Sequence, residues 1–405
     1  MGQNTSILDP YRVGARPKSV PLAATRYRLA FAIHKYFEFG GLERELRRLA
    51  VACAERGHEV HILTTAWEGP VPEGIHLHLL SLRARTNHQR SREFADVVRA
   101  FANREAFDCL IGFNKMPGLD VYWGGDPCLA EHLRRNKPRF MRWLPRYKTY
   151  LELEAGVFGK SCDTEVLLLA EPEKEHIVQH YGASESRLHL LPPGIDRRRF
   201  ESKPNDRSVR SALRNEFGIG ESDLMMLMVG SSFERKGVGR ALQAMASLQE
   251  PERSRRWLVV VGNDDPAPFR RLAGRLKVAN RTLFTGGRED VLSFYRSADI
   301  FLHPARQETG GYVLLEAMLC GVPQLVTETC GYACHVKRAK AGLVCPEPFR
   351  QETLNRLLAQ MLSVEARNTW KRNAAGYCSV TDLYSMVETM IDVIVRRAAR
   401  NRRAA

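Results

Sequence analysis

Apolar positions along this chain follow two rhythms. Short runs rich in Val, Ile, Leu and Phe stop at Gly, Pro or polar residues, and between them apolar residues recur at helical spacing, as Leu42, Leu46, Leu49 and Cys53 do. The runs predict strands over 27–33, 58–65, 75–82, 109–113, 121–123, 164–170 and 187–191, then over 225–229, 257–261, 283–285, 300–303, 324–327 and 343–345. A helix is predicted over 42–56, stopped by Gly57. Strands alternating with helices build a parallel sheet, and ligands of such sheets gather outside the carboxyl ends of the strands.

A chain of 405 residues exceeds what one core usually covers, so two domains are expected. Between the two sets of strands, ESKPNDRS reads as a linker. The division is a flexible extension over 1–26, a first Rossmann-like domain over 27–195, a linker over 196–207 and a second Rossmann-like domain over 208–376. An amphipathic helix over 377–395 and a disordered basic tail over 396–405 complete it.

The stretch HPARQETGGYVLLEAM, His303 to Met318, reads as strand end, loop and helix. Gly310 and Gly311 before the helix let free backbone amides approach an anion, with a favourable helix dipole. Glu308 lies on the loop and Glu316 inside the helix. Acidic groups beside an anion site suit the hydroxyls of sugars flanking a diphosphate, as in a nucleotide sugar. A second anion site is expected in VGSSFERKGV, where Arg235 and Lys236 precede a helix: Arg offers a fixed fork and Lys a point charge to a departing diphosphate. Gly40 and Gly41 occupy the equivalent strand-to-helix turn of the first domain. In NKMPGLDVYWGGDPC, the polar residues Asn114, Lys115, Asp120 and Asp126 are all placed at that domain's cleft edge, each Asp being as well suited to stabilising a turn.

The formal net charge of +15 calls for an anionic partner. Between His132 and Leu151 there are seven Lys or Arg and no Asp or Glu, interleaved with aromatic residues. On one helix, Phe140, Trp143, Leu144 and Tyr147 would share a face, and Arg139, Arg142 and Arg146 another, the pattern of a helix on an anionic membrane surface. Stacking on nucleic-acid bases is the competing use of such a composition. No apolar run approaches the roughly 20 residues needed to span a bilayer, and the first residues lack the apolar core of a signal peptide. Nine cysteines without a framework agree with a reducing compartment, so the chain is expected in the cytosol.

Glu308 and Glu316, with seven residues between them inside a Gly-containing strand, loop and helix, resemble the signature of retaining glycosyltransferases of family 4. The resemblance runs from about Tyr27 to Val395 and implies a GT-B fold, two Rossmann-like parallel-sheet domains facing across a cleft. It assigns Glu308 to the transferred sugar and Glu316 to the nucleotide ribose. Gly40, Gly41, Arg235, Lys236, Thr309, Gly310, Gly311, Val313 and Leu314 go with the rest of the donor, and Arg288 in TGGRED lies near the nucleobase. Many members carry a His where this chain offers Asp126. KYFEFGGLER, FNKMPGLDVY, LLPPGI, FERKGV and CGYA resemble more closely the branch that adds glucose to a heptose of the lipopolysaccharide inner core, which implies UDP-glucose as donor, an anionic, lipid-anchored acceptor and a peripheral seat on the cytosolic face of the inner membrane.

No Asp, any residue, Asp triplet occurs, so the usual carboxylate grip on a metal is missing; no metal and no cofactor beyond the donor is expected, Arg235 and Lys236 replacing it. Glu308 and Glu316 grip opposite ends of the donor and so do not form the close carboxylate pair of a retaining glycosidase. The resemblance implies front-face transfer. Two other classes fit parts of the sequence: a nucleic-acid-binding protein explains the charge but not two anion loops, and a sugar-nucleotide epimerase needs no membrane-facing surface.

Overall fold

All thirteen expected strands form in a computed structural model that describes residues 25–37, 41–201, 207–250 and 255–404. The described residues divide into two compact units, 25–192 with 385–404, and 193–384. The first carries β1 (Arg28–Ala32), β2 (Glu59–Thr64), β3 (Ile75–Leu79), β4 (Cys109–Gly112), β5 (Val121–Gly124), β6 (Glu165–Leu168) and β7 (Leu188–Leu190). They pair in parallel in the order β3-β2-β1-β4-β5-β6-β7. The second carries β8 (Leu224–Val229), β9 (Arg256–Val261), β10 (Thr282–Gly286), β11 (Ile300–His303), β12 (Gln324–Thr327) and β13 (Gly342–Cys345). These too are parallel, in the order β10-β9-β8-β11-β12-β13.

A parallel sheet buries both faces, so its strands read as continuous apolar runs whose successive residues enter different cores. In the second unit Met225, Leu227, Val259, Val261 and Phe301 belong to one core, while Met226, Met228, Leu258, Val260, Ile300 and Leu302 belong to the other. Each such buried side chain contributes roughly 2 kcal/mol. Strand order reverses between β1 and β4 in the first unit and between β8 and β11 in the second. Those are the switch points where loops diverge and a crevice opens.

Four expectations differ from the structure. The helix read over 377–395 is two helices, Val364–Val380 and Met386–Ala404. The basic tail is helical to Ala404, because its polar side chains meet carboxylates at the amino ends of three strands. Arg397 donates to Asp120 at 3.0 Å and Asp163 at 2.7 Å, Asn401 to Asp120 at 2.8 Å, and Arg402 to Asp108 at 2.8 Å. Asp120 is thereby removed from the cleft edge where it was expected. It precedes β5, at the opposite end of the strand from Asp126, and also accepts from Leu110 N at 2.8 Å. Finally, a short helix, Arg197–Glu201, lies within the stretch read as linker. The extension over 1–26 falls, but for its last two residues, outside the described residues.

Candidate functional site

Lys236 and Glu308, on the loops after β8 and β11, are 72 residues apart in sequence and neighbours in space, because β8 and β11 pair. Gly311, at φ 109°, turns the second loop into the helix Tyr312–Leu319, a backbone region open mainly to glycine. The loop's other side is held by the CGYA segment after β12, Cys330 to Ala333: Gly331 N donates to Glu308 O and Tyr332 N to Gly310 O, both at 2.9 Å. Across from it, Arg306 N donates to Arg235 O at 2.8 Å. Gly237, at φ 81°, lets the chains touch, since a Cβ there would lie 2.0 Å from Pro304 O. Phe233 N donates to Asp264 Oδ2 at 2.6 Å, tying in the loop after β9.

These constraints bring Arg235, Lys236 and Glu308 together. Glu308 Oε2 accepts from Lys236 Nζ and, at 3.3 Å, from Arg235 Nη1, which also reaches Gln307 O at 3.2 Å. Burial pushes the Glu308 carboxyl up, but the imidazole of His303, close by though beyond hydrogen-bond distance, and the charge of Lys236 outweigh it and hold it down to about 2. Lys236 is buried and Arg235 half exposed. An incoming anion therefore has one open guanidinium to meet and one buried ammonium to compete for. Taking both would release Glu308 as a hydrogen-bond acceptor.

The other residues singled out in the sequence take varied positions. Thr309 and Gly310 follow Glu308 in the same loop. Glu316 is set by Tyr295, whose hydroxyl donates to Oε2 at 2.9 Å, and by Arg199 at 3.4 Å. Val313 packs at the edge of the core. Leu314 is fully buried, with its amide donating to Gly311 O at 2.9 Å, so its side chain belongs to the core and not to a ligand surface. Arg288 joins a different cluster, bonded to Asp290 at 2.8 Å, near Glu216 at 3.3 Å and over the Phe294 ring.

In the first unit Gly40 lies outside the described residues, and Gly41 opens the helix Gly41–Glu55. At the switch point between β1 and β4, His34 N donates to Asn114 Oδ1 at 2.7 Å. Lys115 is committed to the fully buried Glu154 and to Pro127 O at 2.7 Å. Asp126 is exposed beyond the carboxyl end of β5. Glu43 was not anticipated: it is buried in the first turn of its helix, and burial, with the Asp126 charge adding, pushes its carboxyl up. Its place two residues after the Gly40-Gly41 pair in the sequence was the available signal. His303, also unassigned from sequence, is fully buried at the end of β11, with Nε2 3.8 Å from Glu308 Oε2.

The basic aromatic run is not one helix, because Pro145 starts a new one. A 3-10 turn, Arg139–Trp143, leads into the helix Pro145–Phe158. The turn nevertheless presents apolar groups to solvent: Phe140 is 67% and Trp143 85% exposed, with Leu144 beside them. Arg139 and Arg146 are exposed, and Tyr147, partly buried, lies beside Arg146. Arg142 is turned inward, donating to Ala130 O at 3.1 Å. Among the described residues no helix is long and apolar enough to cross a membrane.

Comparison with known proteins adds to this geometry. Residues 39–199 match the family profile described as Glycosyltransferase Family 4, and residues 209–376 that described as Glycosyl transferases group 1. The chain is 41% identical over 369 residues to the lipopolysaccharide glucosyltransferase WaaG of Escherichia coli K12, covering 90% of this chain and 98% of that protein. A crystal structure of WaaG, a glycosyltransferase involved in lipopolysaccharide biosynthesis, superposes with a TM-score of 0.82 at 40% identity, over 90% of this chain and 99% of that one. Anabaena HepE, solved with UDP-glucose, shares the fold at a TM-score of 0.68 and 17% identity, over 92% of this chain and all of that one (100%).

Proposed function

The chain belongs to the family 4 glycosyltransferases, and on that premise we propose that it moves glucose, with retention, from UDP-glucose to a heptose of the lipopolysaccharide inner core. The observation that carries this reading is the convergence of Arg235, Lys236 and Glu308 at a switch point, in a chain so similar to a lipopolysaccharide glucosyltransferase. Arg235 and Lys236 take the diphosphate and stabilise its charge as the glycosidic bond breaks. Glu308, released from both, accepts a hydroxyl of the transferred sugar. Glu316, oriented by Tyr295, accepts from the ribose. Asp126, with Glu43 near it, faces the acceptor. The departing phosphate assists removal of the acceptor proton on the same face of the sugar, and the two cations carry the work of a divalent ion.

The acceptor is lipid-anchored, and exposed Phe140, Trp143 and Leu144 among Arg139, Arg146 and Lys148 support a peripheral seat on the cytosolic face of an anionic membrane. The test is to supply UDP-glucose with a lipopolysaccharide core ending at heptose, then follow UDP release and product mass. Addition of one hexose, with the new linkage retaining the donor's anomeric configuration by NMR, supports the reading. Release of UDP without a heavier product overturns it.

A further inference from the structure

His303 is the last residue of β11, its backbone registered against Val326 and its ring lying near-parallel to that of Phe301 at 5.8 Å. It is fully buried, and neither ring nitrogen has a hydrogen-bond partner. Buried polar groups are nearly always bonded, so an unbonded pair of nitrogens beside a ligand site needs a reason. The nearest acid is Glu308, whose Oε2 is 3.8 Å from Nε2. A shift of about 1 Å would bring the two to hydrogen-bond distance.

That carboxylate has two cationic partners, Lys236 and Arg235, and both are needed elsewhere once a diphosphate arrives. Without a replacement donor, Glu308 would be left buried and charged with only the sugar hydroxyl to hold it, and free to swing away from the sugar. We propose that His303 is a positioning residue for Glu308: when the donor diphosphate draws Lys236 and Arg235 away, the imidazole Nε2–H bonds Glu308 Oε2 and holds the carboxylate toward the transferred sugar. This rests on the reading of Glu308 given above. Burial pushes the imidazole's basicity down and outweighs the opposing pull of Glu308, which favours the uncharged form. An uncharged imidazole with its proton on Nε2 still donates one hydrogen bond and does not compete with Lys236 for the diphosphate.

The experiment compares His303→Gln, which places an amide N–H near the Nε2 position, with His303→Asn, which places it near Nδ1, and with Glu308→Gln. UDP-glucose turnover on the heptose-ended core is measured beside calorimetric binding of UDP alone. His303→Asn is expected to lower kcat about 10- to 100-fold, the value of one hydrogen bond to a charged group. UDP affinity should stay within about twofold and His303→Gln should recover most of the rate. The double variant His303→Asn, Glu308→Gln should be no slower than Glu308→Gln alone, because both act through one contact. Losses that multiply in the double variant overturn the proposal, as does a His303→Asn enzyme with undiminished kcat or with UDP binding impaired as much as turnover. A Glu308→Gln enzyme of normal rate would instead overturn the assignment of Glu308 itself.

Discussion

Lys236 Nζ rests on Glu308 Oε2, a largely buried ion pair formed across 72 residues of sequence by two loops at one switch point. Removing one member of a buried pair strands the other, whereas removing both strands neither. Lys236→Met should therefore destabilise the protein by about 3 kcal/mol, and Glu308→Gln added to it should recover part of that loss. Urea denaturation of the single and double variants is the measurement, and equal losses in both would contradict the pairing.

The same pair gives a pH dependence with a definite sign. The folded Glu308 carboxyl is held down to about 2, below its unfolded value, so it contributes stability above about pH 4.5 that is lost as pH falls toward 2. The contribution is about 3 kcal/mol by that linkage. Glu308→Gln should lack it. The stability gap between wild type and this variant should shrink between pH 5 and 3, and a gap that stays constant would show that the carboxyl is not held ionised by its neighbours.

The two glutamates should separate when UDP is titrated without a sugar. Glu316, held by Tyr295 and Arg199, is assigned the ribose, so Glu316→Ala should weaken UDP by about 1.5 to 3 kcal/mol. Glu308→Ala should bind UDP as well as wild type or better, because Lys236 and Arg235 no longer have a competing carboxylate. Calorimetry decides, and equal losses would contradict the split assignment.

Transfer should persist in excess chelator, since Arg235 and Lys236 are given the charge-stabilising role. Complete loss of UDP-glucose turnover in chelator, restored by magnesium or manganese, would transfer that role to a metal.

Much of this arrangement was legible in the sequence because both signals are local. Strand residues such as Met225 to Val229 are apolar on both faces of a covered sheet, and an abrupt polar, glycine-bearing turn at each carboxyl end marks Arg235, Lys236 and Glu308. Which loops meet was not local: it depends on β8 pairing with β11. Asp120 was misplaced although its strand was found, because in a parallel sheet a residue before the strand sits at the opposite edge from one after it. The tail RRAARNRRAA looks disordered by composition alone. Its order comes from Asp108, Asp120 and Asp163, each more than 200 residues earlier. His303 was hidden by its strand position, where a histidine reads as the end of a core run.

The last expectation concerns membrane attachment, where the structure changes which residues should be replaced. Arg142 is spent on Ala130 O, so its removal would disturb the fold of the turn instead of its charge. Arg139, Arg146 and Lys148 are exposed and available to lipid. Each cation near an anionic bilayer adds about 1 kcal/mol, within a Debye length of about 8 Å at physiological salt. Replacing these three with Gln should remove mainly the salt-sensitive part of vesicle binding. Phe140 and Trp143, largely exposed on a turn of their own, should supply a part that salt does not screen, because burying apolar surface at the interface carries no charge dependence. Replacing both with Ser should lower co-sedimentation even at low salt while leaving the thermal midpoint unchanged, since neither side chain packs in the core. Equal, weak co-sedimentation of the unmodified protein with neutral and anionic vesicles would mean that this turn is merely solvated, and that the acceptor is reached without a membrane contact here.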